Sequence, residues 1–309
     1  MESVISNNQL MLFLKQSFGT NVELVNQKIA NQSHDYLVLI AQLQHPSIDV
    51  VIKLAGPDAS MAGSFERTAM LQRLVTTNTT IPMPEILAVD QSYHVFPWRY
   101  LVMTYIPGQE WAAVRKQMSL EELPHTYQQI GSAVAQLHSI QFQSFGELTL
   151  DGSIQGSGSF FSALSERAKR SINSSYLRDL FFSILDRERY LFLDVHQPRL
   201  CHEDLHGYNI LFEYRQGQWH LATILDFDKA WAGHHEIDLA RLEFWRGMVS
   251  TAFWQAYNEI CQADSLYEQR RPIYQLLWCF EFARNTSQHL KDTQRLCSKL
   301  GLPCPERFA

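Results

Sequence analysis

The apolar positions in the first hundred residues fall in short segments that have the length and composition of β-strands. Segments rich in Val, Ile and Leu predict strands at 22–30, 36–43, 49–55 and 99–106, and a further short strand within 81–90. Residues 64–76 instead carry apolar side chains near helical spacing, and Ser64 before them is a suitable N-cap. Several antiparallel strands and one helix predict a compact α+β unit.

After Gly108 the period of the apolar positions changes to that of helices. In residues 124–140 the apolar side chains recur every three or four positions and share one face. Further helices are predicted at 159–172, 175–191, 239–262 and 266–299, the last broken near residue 285. Residues 200–230 interrupt this pattern with two short apolar runs, NILFEY and HLATILDF, and predict a hairpin.

Composition excludes several classes of protein. The chain has 309 residues and a formal net charge of −6, so it lacks the basic excess expected of a general nucleic-acid-binding protein. It contains no run of 18 apolar residues and no signal-peptide pattern, so we expect no membrane partner. Five cysteines without CxxC spacing indicate reduced thiols and a cytoplasmic protein.

The segment 200–230 also holds the residues with the clearest chemistry. In CHEDLHGYNILF, His202, Asp204 and Asn209 follow the order H-x-D-x-x-x-x-N, and TILDFDKAW then supplies Asp226. Protein kinases arrange their catalytic loop and metal-binding Asp in this order. Phosphoryl transfer needs a carboxylate that orients the attacking hydroxyl, together with oxygen ligands that hold Mg²⁺ against the triphosphate. The spacing therefore predicts kinase-like chemistry.

At this point the sequence resembles a known family. HEDLHGYNILF followed by ILDFD is similar to the signature of the aminoglycoside phosphotransferase and choline kinase family, and His206 matches that signature's second histidine. VIKLA resembles the family's third-strand lysine segment, LVMTYIPG its hinge, and IGSAVAQLHSI its helix ending in a Leu-His pair. HHEIDLARL resembles the downstream Asp-Leu-Ala segment. The resemblance implies a bilobal protein-kinase-like α+β fold that binds ATP and Mg²⁺.

The resemblance also implies a division of the chain and a role for each matching residue. Residues 1–103 would form a nucleotide-binding N-lobe, 104–107 the hinge, and 108–309 a helical C-lobe with the catalytic loop and the acceptor site. ATP would sit between the two lobes. Asp204 would be the catalytic base, and Asn209 and Asp226 would be magnesium ligands. Lys53 would contact the phosphates, and the adenine site would be lined by Met103, Thr104 and Ile106. His202 and Asp238 would support the catalytic loop.

Some assignments keep alternatives. Glu66 would pair with Lys53, although the family glutamate aligns equally with Arg67. His206 has either a structural or a substrate-adjacent role. Glu203 stands where the family has a small residue, and it is a possible substrate-adjacent group. If it pointed inward, its charge would raise the pKa of Asp204 by like-charge repulsion. We expect Glu203 to point outward.

The predicted function is an ATP- and Mg²⁺-dependent kinase that phosphorylates a hydroxyl group of a small molecule. The acceptor could be an aminoglycoside or other antibiotic, an amino alcohol or a sugar-like metabolite. Acidic residues of the C-terminal half could form an anionic pocket for a cationic acceptor, or they could be braces and surface charges: Glu203, Glu236, Asp238 and Glu243.

The alternative is a nucleotide-binding pseudokinase that acts as an interaction module. The glycine-free segment 29–36, where protein kinases have a glycine-rich phosphate cover, and the uncertain Glu66 favour it. Phosphate contacts in that segment would come from the backbone of residues 31–34 or from the Ser33 hydroxyl.

Overall fold

The contacts between residues divide the chain into two compact units. The computed structural model describes residues 5–33, 35–59 and 64–308. The first unit consists of residues 1–108 and 222–228, and the second of residues 109–221 and 229–309. The predicted lobes, 1–103 and 108–309 with a hinge between them, stay a prediction.

The first unit is built on an antiparallel sheet of five strands in the order β1-β2-β3-β5-β4. Its elements are α1 (Asn7–Phe18), β1 (Glu23–Gln32), β2 (Tyr36–Gln44), β3 (Ile48–Ala55), α2 (Phe65–Asn78), β4 (Ile86–Asp90) and β5 (Arg99–Thr104). Side chains alternate between the two faces of the sheet. On one face, Leu39 and Ile52 pack with Phe13 of α1, a helix that the apolar pattern did not predict.

The opposite face of the sheet carries the polar residues of interest. Ala55 and Leu101 pack there against Phe65 and Ala69 of α2. Lys53 lies two residues before Ala55 on β3 and pairs with Leu101, so its side chain emerges on this same face. The alternation that buries the strands against α1 therefore directs Lys53 to the side of the sheet that α2 covers.

The second unit is mainly helical. Its helices are α3 (Trp111–Val114), α4 (Glu122–Ser139), α5 (Phe160–Ser171), α6 (Ser175–Arg187), α7 (Glu236–Phe244), α8 (Thr251–Asn258), α9 (Tyr267–Glu281) and α10 (Ser287–Lys299). Its strands are β6 (Gln109–Glu110), β7 (Phe145–Leu148), β8 (Ile154–Ser157), β9 (Arg199–Cys201), β10 (Ile210–Arg215), β11 (Gln218–Ile224), whose last three residues belong to the first unit, and β12 (Trp231–Gly233). They form the orders β11-β10-β6 and β8-β7-β12-β9. No helix in the described ranges is both long and apolar enough to cross a membrane.

The predicted α+β class, with an antiparallel sheet followed by a helical region, is confirmed. The continuous helix predicted over 239–262 is wrong, because the chain forms α7 and α8 with a turn between them. Gly247 adopts a φ of +81° in that turn, and the hydroxyl of Ser250 then caps α8 by accepting a hydrogen bond from the N–H of Phe253. The predicted break near residue 285 lies between α9 and α10.

Candidate active site

In the second unit, one buried carboxylate accepts hydrogen bonds from the backbone of the loop between β9 and β10. Asp238 lies in the first turns of α7 and is fully buried. Its Oδ2 accepts a hydrogen bond from the N–H of His202 at 2.6 Å, and its Oδ1 accepts one from the N–H of Glu203 at 2.7 Å. Two consecutive backbone groups are thereby fixed to one side chain, which sets the course of the loop just before Asp204.

Further hydrogen bonds close the loop on itself. The N–H of Asp204 donates to Nδ1 of the buried His202 at 3.2 Å. The amide group of Asn209 donates from Nδ2 to the carbonyl oxygen of Asp204 at 2.9 Å. The side-chain oxygen of Asn209 has no hydrogen bond among the described residues and thus keeps its lone pairs for another group.

The carboxylate of Asp204 is partly exposed and is surrounded by basic groups. Lys229 Nζ lies 3.7 Å from Oδ2, and Arg241 Nη1 and His206 Nε2 lie 3.8 and 3.9 Å from Oδ1. These separations exceed hydrogen-bonding distance. In the part of the chain that the structure describes, the Asp204 carboxylate accepts no hydrogen bond, so its oxygens are available to a substrate hydroxyl.

Burial and charge act on Asp238 and Lys229 in different ways. Burial alone would raise the pKa of Asp238, but the hydrogen bond and charge of His138 and the contacts of His202 hold that pKa below its usual value. Asp238 therefore remains a carboxylate that accepts two backbone hydrogen bonds. Burial lowers the pKa of Lys229, and the nearby charge of Asp204 acts in the opposite direction.

Glu203 lies in the interior, and the expectation that it points outward is wrong. It is 2% exposed, with Oε1 3.3 Å from Nε of Arg167 and Oε2 3.8 Å from Nη1 of Arg241. Burial raises its pKa, while the charges of Arg167 and Arg241 oppose that rise. These two arginines, distant in sequence, supply the counter-charge that makes an interior carboxylate tolerable.

In the first unit, four ionisable groups approach one another on the α2 side of the sheet. Burial raises the pKa of the Tyr36 hydroxyl; the charge of Lys53 lowers it, and those of Asp228 and Asp226 raise it. The four groups are therefore close enough to influence one another electrostatically. Asp226 has a φ of +66°, an uncommon value for a residue other than glycine. Lys53 and Asp226, predicted from separate motifs, thus lie within one unit.

The start of α2 holds the segment that follows Asp226. Arg67 donates from Nη1 to the carbonyl oxygen of Asp228 at 2.6 Å, and Thr68 donates from its hydroxyl to Oδ1 of Asp228 at 2.7 Å. Glu66 lies in the first turn of the same helix. The described residues include no ion pair between Lys53 and Glu66, and their pairing stays a prediction.

The predicted adenine contacts lie at the end of β5 and just beyond it. Met103 is buried, and its sulfur accepts a hydrogen bond from Nε2 of Gln72. Thr104 uses both its N–H and its hydroxyl oxygen to bond the backbone of Glu85 at 2.9 Å. In the other predicted phosphate-binding segment, the N–H of Ser33 donates to the carbonyl of Tyr36; His34 lies outside the described residues.

A further cluster of groups that could bind a metal lies around the start of α7. His234, His235 and Glu236 offer atoms within 4.8 Å of one another. Each is already engaged: His234 with the Tyr274 hydroxyl, His235 with the Gln262 carbonyl, and Glu236 with the Arg270 guanidinium at 2.7 Å. These contacts are typical of a structural network, in which the Nδ1 atom of His235 has no hydrogen-bond partner among the described residues.

Lys229 and Arg241 flank Asp204 but were not predicted from the sequence. Lys229 directly follows the LDFD motif, and Arg241 lies within the DLARL segment, so their neighbourhood was visible in the sequence. Their approach to Asp204 was not, because it depends on where β12 and α7 return to the loop.

Most of the chain matches the sequence model of one known family. Residues 29–273 match the sequence model of the phosphotransferase enzyme family, APH. The chain belongs to this family. As an APH member it is a small-molecule phosphotransferase, and the predicted family, enzyme class and kinase-like fold are confirmed.

Among the solved structures similar to this APH chain are those of enzymes named for different kinds of small molecule. An aminoglycoside phosphotransferase APH(4)-Ia variant, in complex with AMP-PNP and hygromycin B, is 16% identical over 94% of this chain and 96% of that chain, with a TM-score of 0.62. A microcompartment-associated aminopropanol kinase is 14% identical over 95% of each chain, with a TM-score of 0.56. An ethanolamine kinase of Plasmodium vivax is 13% identical over 96% and 89%, with a TM-score of 0.58.

Proposed function

We propose that this APH chain transfers the γ-phosphoryl group of ATP to a hydroxyl group of a small molecule. The observation that carries the proposal is the Asp204 carboxylate, which is held by a fixed loop, faces basic side chains and accepts no hydrogen bond within the described ranges. Such a group can orient a hydroxyl and accept its proton.

In the proposed reaction, Asp204 acts as the base. The acceptor hydroxyl donates a hydrogen bond to Asp204, its O–H bond breaks as the proton passes to the carboxylate, and its oxygen forms the new bond to the γ-phosphorus. The bond between that phosphorus and the bridging oxygen breaks, and ADP leaves. Lys229 and Arg241, within 3.8 Å of Asp204, offer positive charge for the transferring phosphoryl group.

In the second unit, Asn209 keeps its side-chain oxygen unbonded within the described ranges, and this hard oxygen donor suits magnesium. Asp226, in the first unit, is the other magnesium ligand that the family resemblance implies. When bound, the ion would neutralise phosphate charge. Lys53 would contact the phosphates, and the backbone of Thr104 and Ile106 would contact adenine, as the family resemblance implies. Lys53 and Asp226 both act on the environment of Tyr36, which supports a common role.

The test is ADP release from ATP and Mg²⁺ with a broad panel of aminoglycosides, amino alcohols, sugars and hydroxy acids. We expect ADP above background with at least one acceptor class, and Asp204→Asn should lower kcat by about 10²-fold or more. Asp194→Asn is the matched control, because Asp194 is almost fully exposed. Background turnover across the whole panel would contradict the proposal.

A nucleotide-binding role without catalysis is the second candidate. It is favoured by one observation, the lack of an ion pair between Lys53 and Glu66 among the described residues. Thermal unfolding with ATP and Mg²⁺ distinguishes the two candidates. A raised Tm together with no turnover of any acceptor would favour the second.

A further inference from the structure

A cavity lies beside the catalytic loop within the second unit. Its volume is about 340 Å³, which suits a small organic molecule. Three segments form its wall: the region from Trp111 to Lys116, residues 206–208 of the catalytic loop, and residues 245–248 between α7 and α8. His206 lines the cavity and also lies 3.9 Å from the Asp204 carboxylate, so the cavity begins one side chain away from the proposed base.

The charges on this wall are all of one sign. Arg115, Lys116 and Arg246 line the cavity, and its lining in the described part of the chain includes no carboxylate. None of these three cations takes part in an ion pair with any residue that the structure describes. A cation without a counter-charge next to a cavity favours an anionic ligand there.

Aromatic side chains form the remaining surface. Trp111 and Trp245 line the cavity together with the exposed Tyr208. Trp245 is fixed by edge-on contacts with His206 and Trp278, at centroid distances of 6.0 and 5.2 Å. Trp111 is almost fully buried, so the half-buried Trp245 and the exposed Tyr208 offer the surface that suits a planar or apolar body next to the anionic group.

The lack of a side chain at Gly247 leaves room for the guanidinium group of Arg115. The carbonyl oxygen of Gly247 accepts hydrogen bonds from Nε1 of Trp111 at 3.1 Å and from the hydroxyl of Tyr127 at 3.0 Å. A Cβ atom on Gly247 would lie 2.3 Å from Cζ of Arg115. The guanidinium group of Arg115 therefore occupies space that any side chain at position 247 would take.

The four acidic residues that the sequence offered for an anionic pocket do not line this cavity. Glu203 and Asp238 are buried beneath the loop, and Glu236 is paired with Arg270. Glu243 lies 2.8 Å from Arg271 and accepts a hydrogen bond from Tyr267. All four carboxylates considered for an anionic pocket are therefore engaged with other residues.

We propose that the acceptor substrate carries an oxyanion, a carboxylate or a phosphate, that binds Arg115, Lys116 and Arg246 while its hydroxyl reaches Asp204. This inference rests on the proposed phosphotransferase function and names its acceptor class. It separates this chain from kinases of cationic acceptors such as aminoglycosides and amino alcohols.

Three probes with the same ring and hydroxymethyl group test the inference: 4-(hydroxymethyl)benzoate, 4-(hydroxymethyl)phenylphosphonate and 4-(hydroxymethyl)benzylamine. Their binding is measured by titration calorimetry without nucleotide. We expect at least one of the two oxyanions to bind about tenfold or more tightly than the amine, because only the amine meets like charge. The ratio between benzoate and phosphonate indicates which oxyanion the cavity prefers.

Charge reversal locates the binding. Lys116→Glu and Arg246→Glu change exposed side chains and should keep the fold, which circular dichroism checks. Each should weaken the preferred oxyanion about fivefold or more and strengthen the amine. Lys291→Glu, on the exposed side of α10, is the matched control and should change neither.

Two results would overturn the inference: an amine that binds wild-type protein at least as tightly as both oxyanions, or oxyanion binding unchanged by both reversals. ADP release separates this failure from that of the proposed function. If ADP forms only with cationic acceptors, the oxyanion inference is contradicted and the phosphotransferase function is not. If the oxyanions bind but no acceptor of the broad panel yields ADP, the phosphotransferase function is contradicted and the oxyanion cavity remains supported.

Discussion

The carboxylate of Asp238 lies 3.1 Å from Nε2 of His138, and both side chains are fully buried. His138 is oriented in turn by the Tyr257 hydroxyl, 2.8 Å from its Nδ1. The proposed catalytic base therefore depends on a chain of contacts that leads from α8 through α4 and α7 to the loop backbone.

Asp238→Asn should destabilise the fold. The variant exchanges one carboxylate oxygen for an NH₂ group, which cannot accept a hydrogen bond from the N–H of His202 or Glu203. We expect the free energy of unfolding to fall by about 3 kcal/mol, as when a buried charge-assisted network is broken. Urea unfolding measures this change. Asp194→Asn is the exposed control, and equal stability of the two variants would contradict the positioning role.

The same carboxylate should contribute a dependence of stability on acid pH. The folded pKa of Asp238 is below the usual value of 3.8, so its stabilising contribution is complete above that value. It is lost as the pH falls through the lower folded pKa, because the unfolded chain binds the proton first. Wild-type stability should therefore fall more steeply than that of Asp238→Asn in this acid range.

His235 should make stability fall at mildly acidic pH. Burial, with the charges of His138 and Arg199, lowers its pKa from 6.5 to about 3. Between these values the unfolded state binds a proton that the folded state does not, so unfolding becomes easier by about 1.4 kcal/mol for each pH unit of decrease. His235→Gln should remove this part of the slope in urea unfolding curves. His196→Gln, at a highly exposed site, should leave the slope unchanged.

Lys229→Met should lower kcat by about 10²-fold, because it removes a positive charge 3.7 Å from Asp204 while keeping much of the side-chain volume. Lys229→Arg should recover part of the loss, which a purely packing role would not predict. Steady-state kinetics with the best acceptor measures both variants. Lys169→Met provides an exposed control, and a kcat for Lys229→Met within about twofold of wild type would count against the role.

Thr68→Val should weaken the first unit near Asp226. The variant keeps the side-chain shape but loses the hydrogen bond to Oδ1 of Asp228, which should lower the free energy of unfolding by about 1 kcal/mol. Thr77→Val, on the same helix, is the matched control. The exposed Thr77 hydroxyl donates a hydrogen bond to the carbonyl oxygen of Arg73 within the helix. A loss no larger at Thr68 than at Thr77 would contradict the bracing contact.

Two glycines with the same φ of +81° form a matched pair for the cavity. Gly247→Ala and Gly217→Ala should both lose about 1 kcal/mol of stability from backbone strain. Only the Gly247 variant displaces the Arg115 guanidinium, since nothing lies within 4 Å of a Cβ on Gly217. Calorimetry should show weaker oxyanion binding for Gly247→Ala alone.

The sequence reveals those parts of the fold and site that depend on local spacing. The length and the Val, Ile and Leu content of the apolar segments predict the five strands, and the spacing from His202 to Asn209 predicts the loop. The break between α7 and α8 was missed, because helical periodicity continues across Gly247 and Ser250. Glu203 was misread for another reason: its partner Arg167 is 36 residues away in sequence, and only the fold brings them together.

Residues 222–228 belong to the first unit although they lie far beyond residue 108 in the chain. A gene fragment that ends at residue 108 would therefore encode a sheet without its Asp226 and Asp228. During synthesis on the ribosome, the first unit is therefore complete only after residue 228 of 309 has emerged. By then, residues 109–221, which are more than half of the second unit, have already been made. Neither unit is a single uninterrupted segment of the chain.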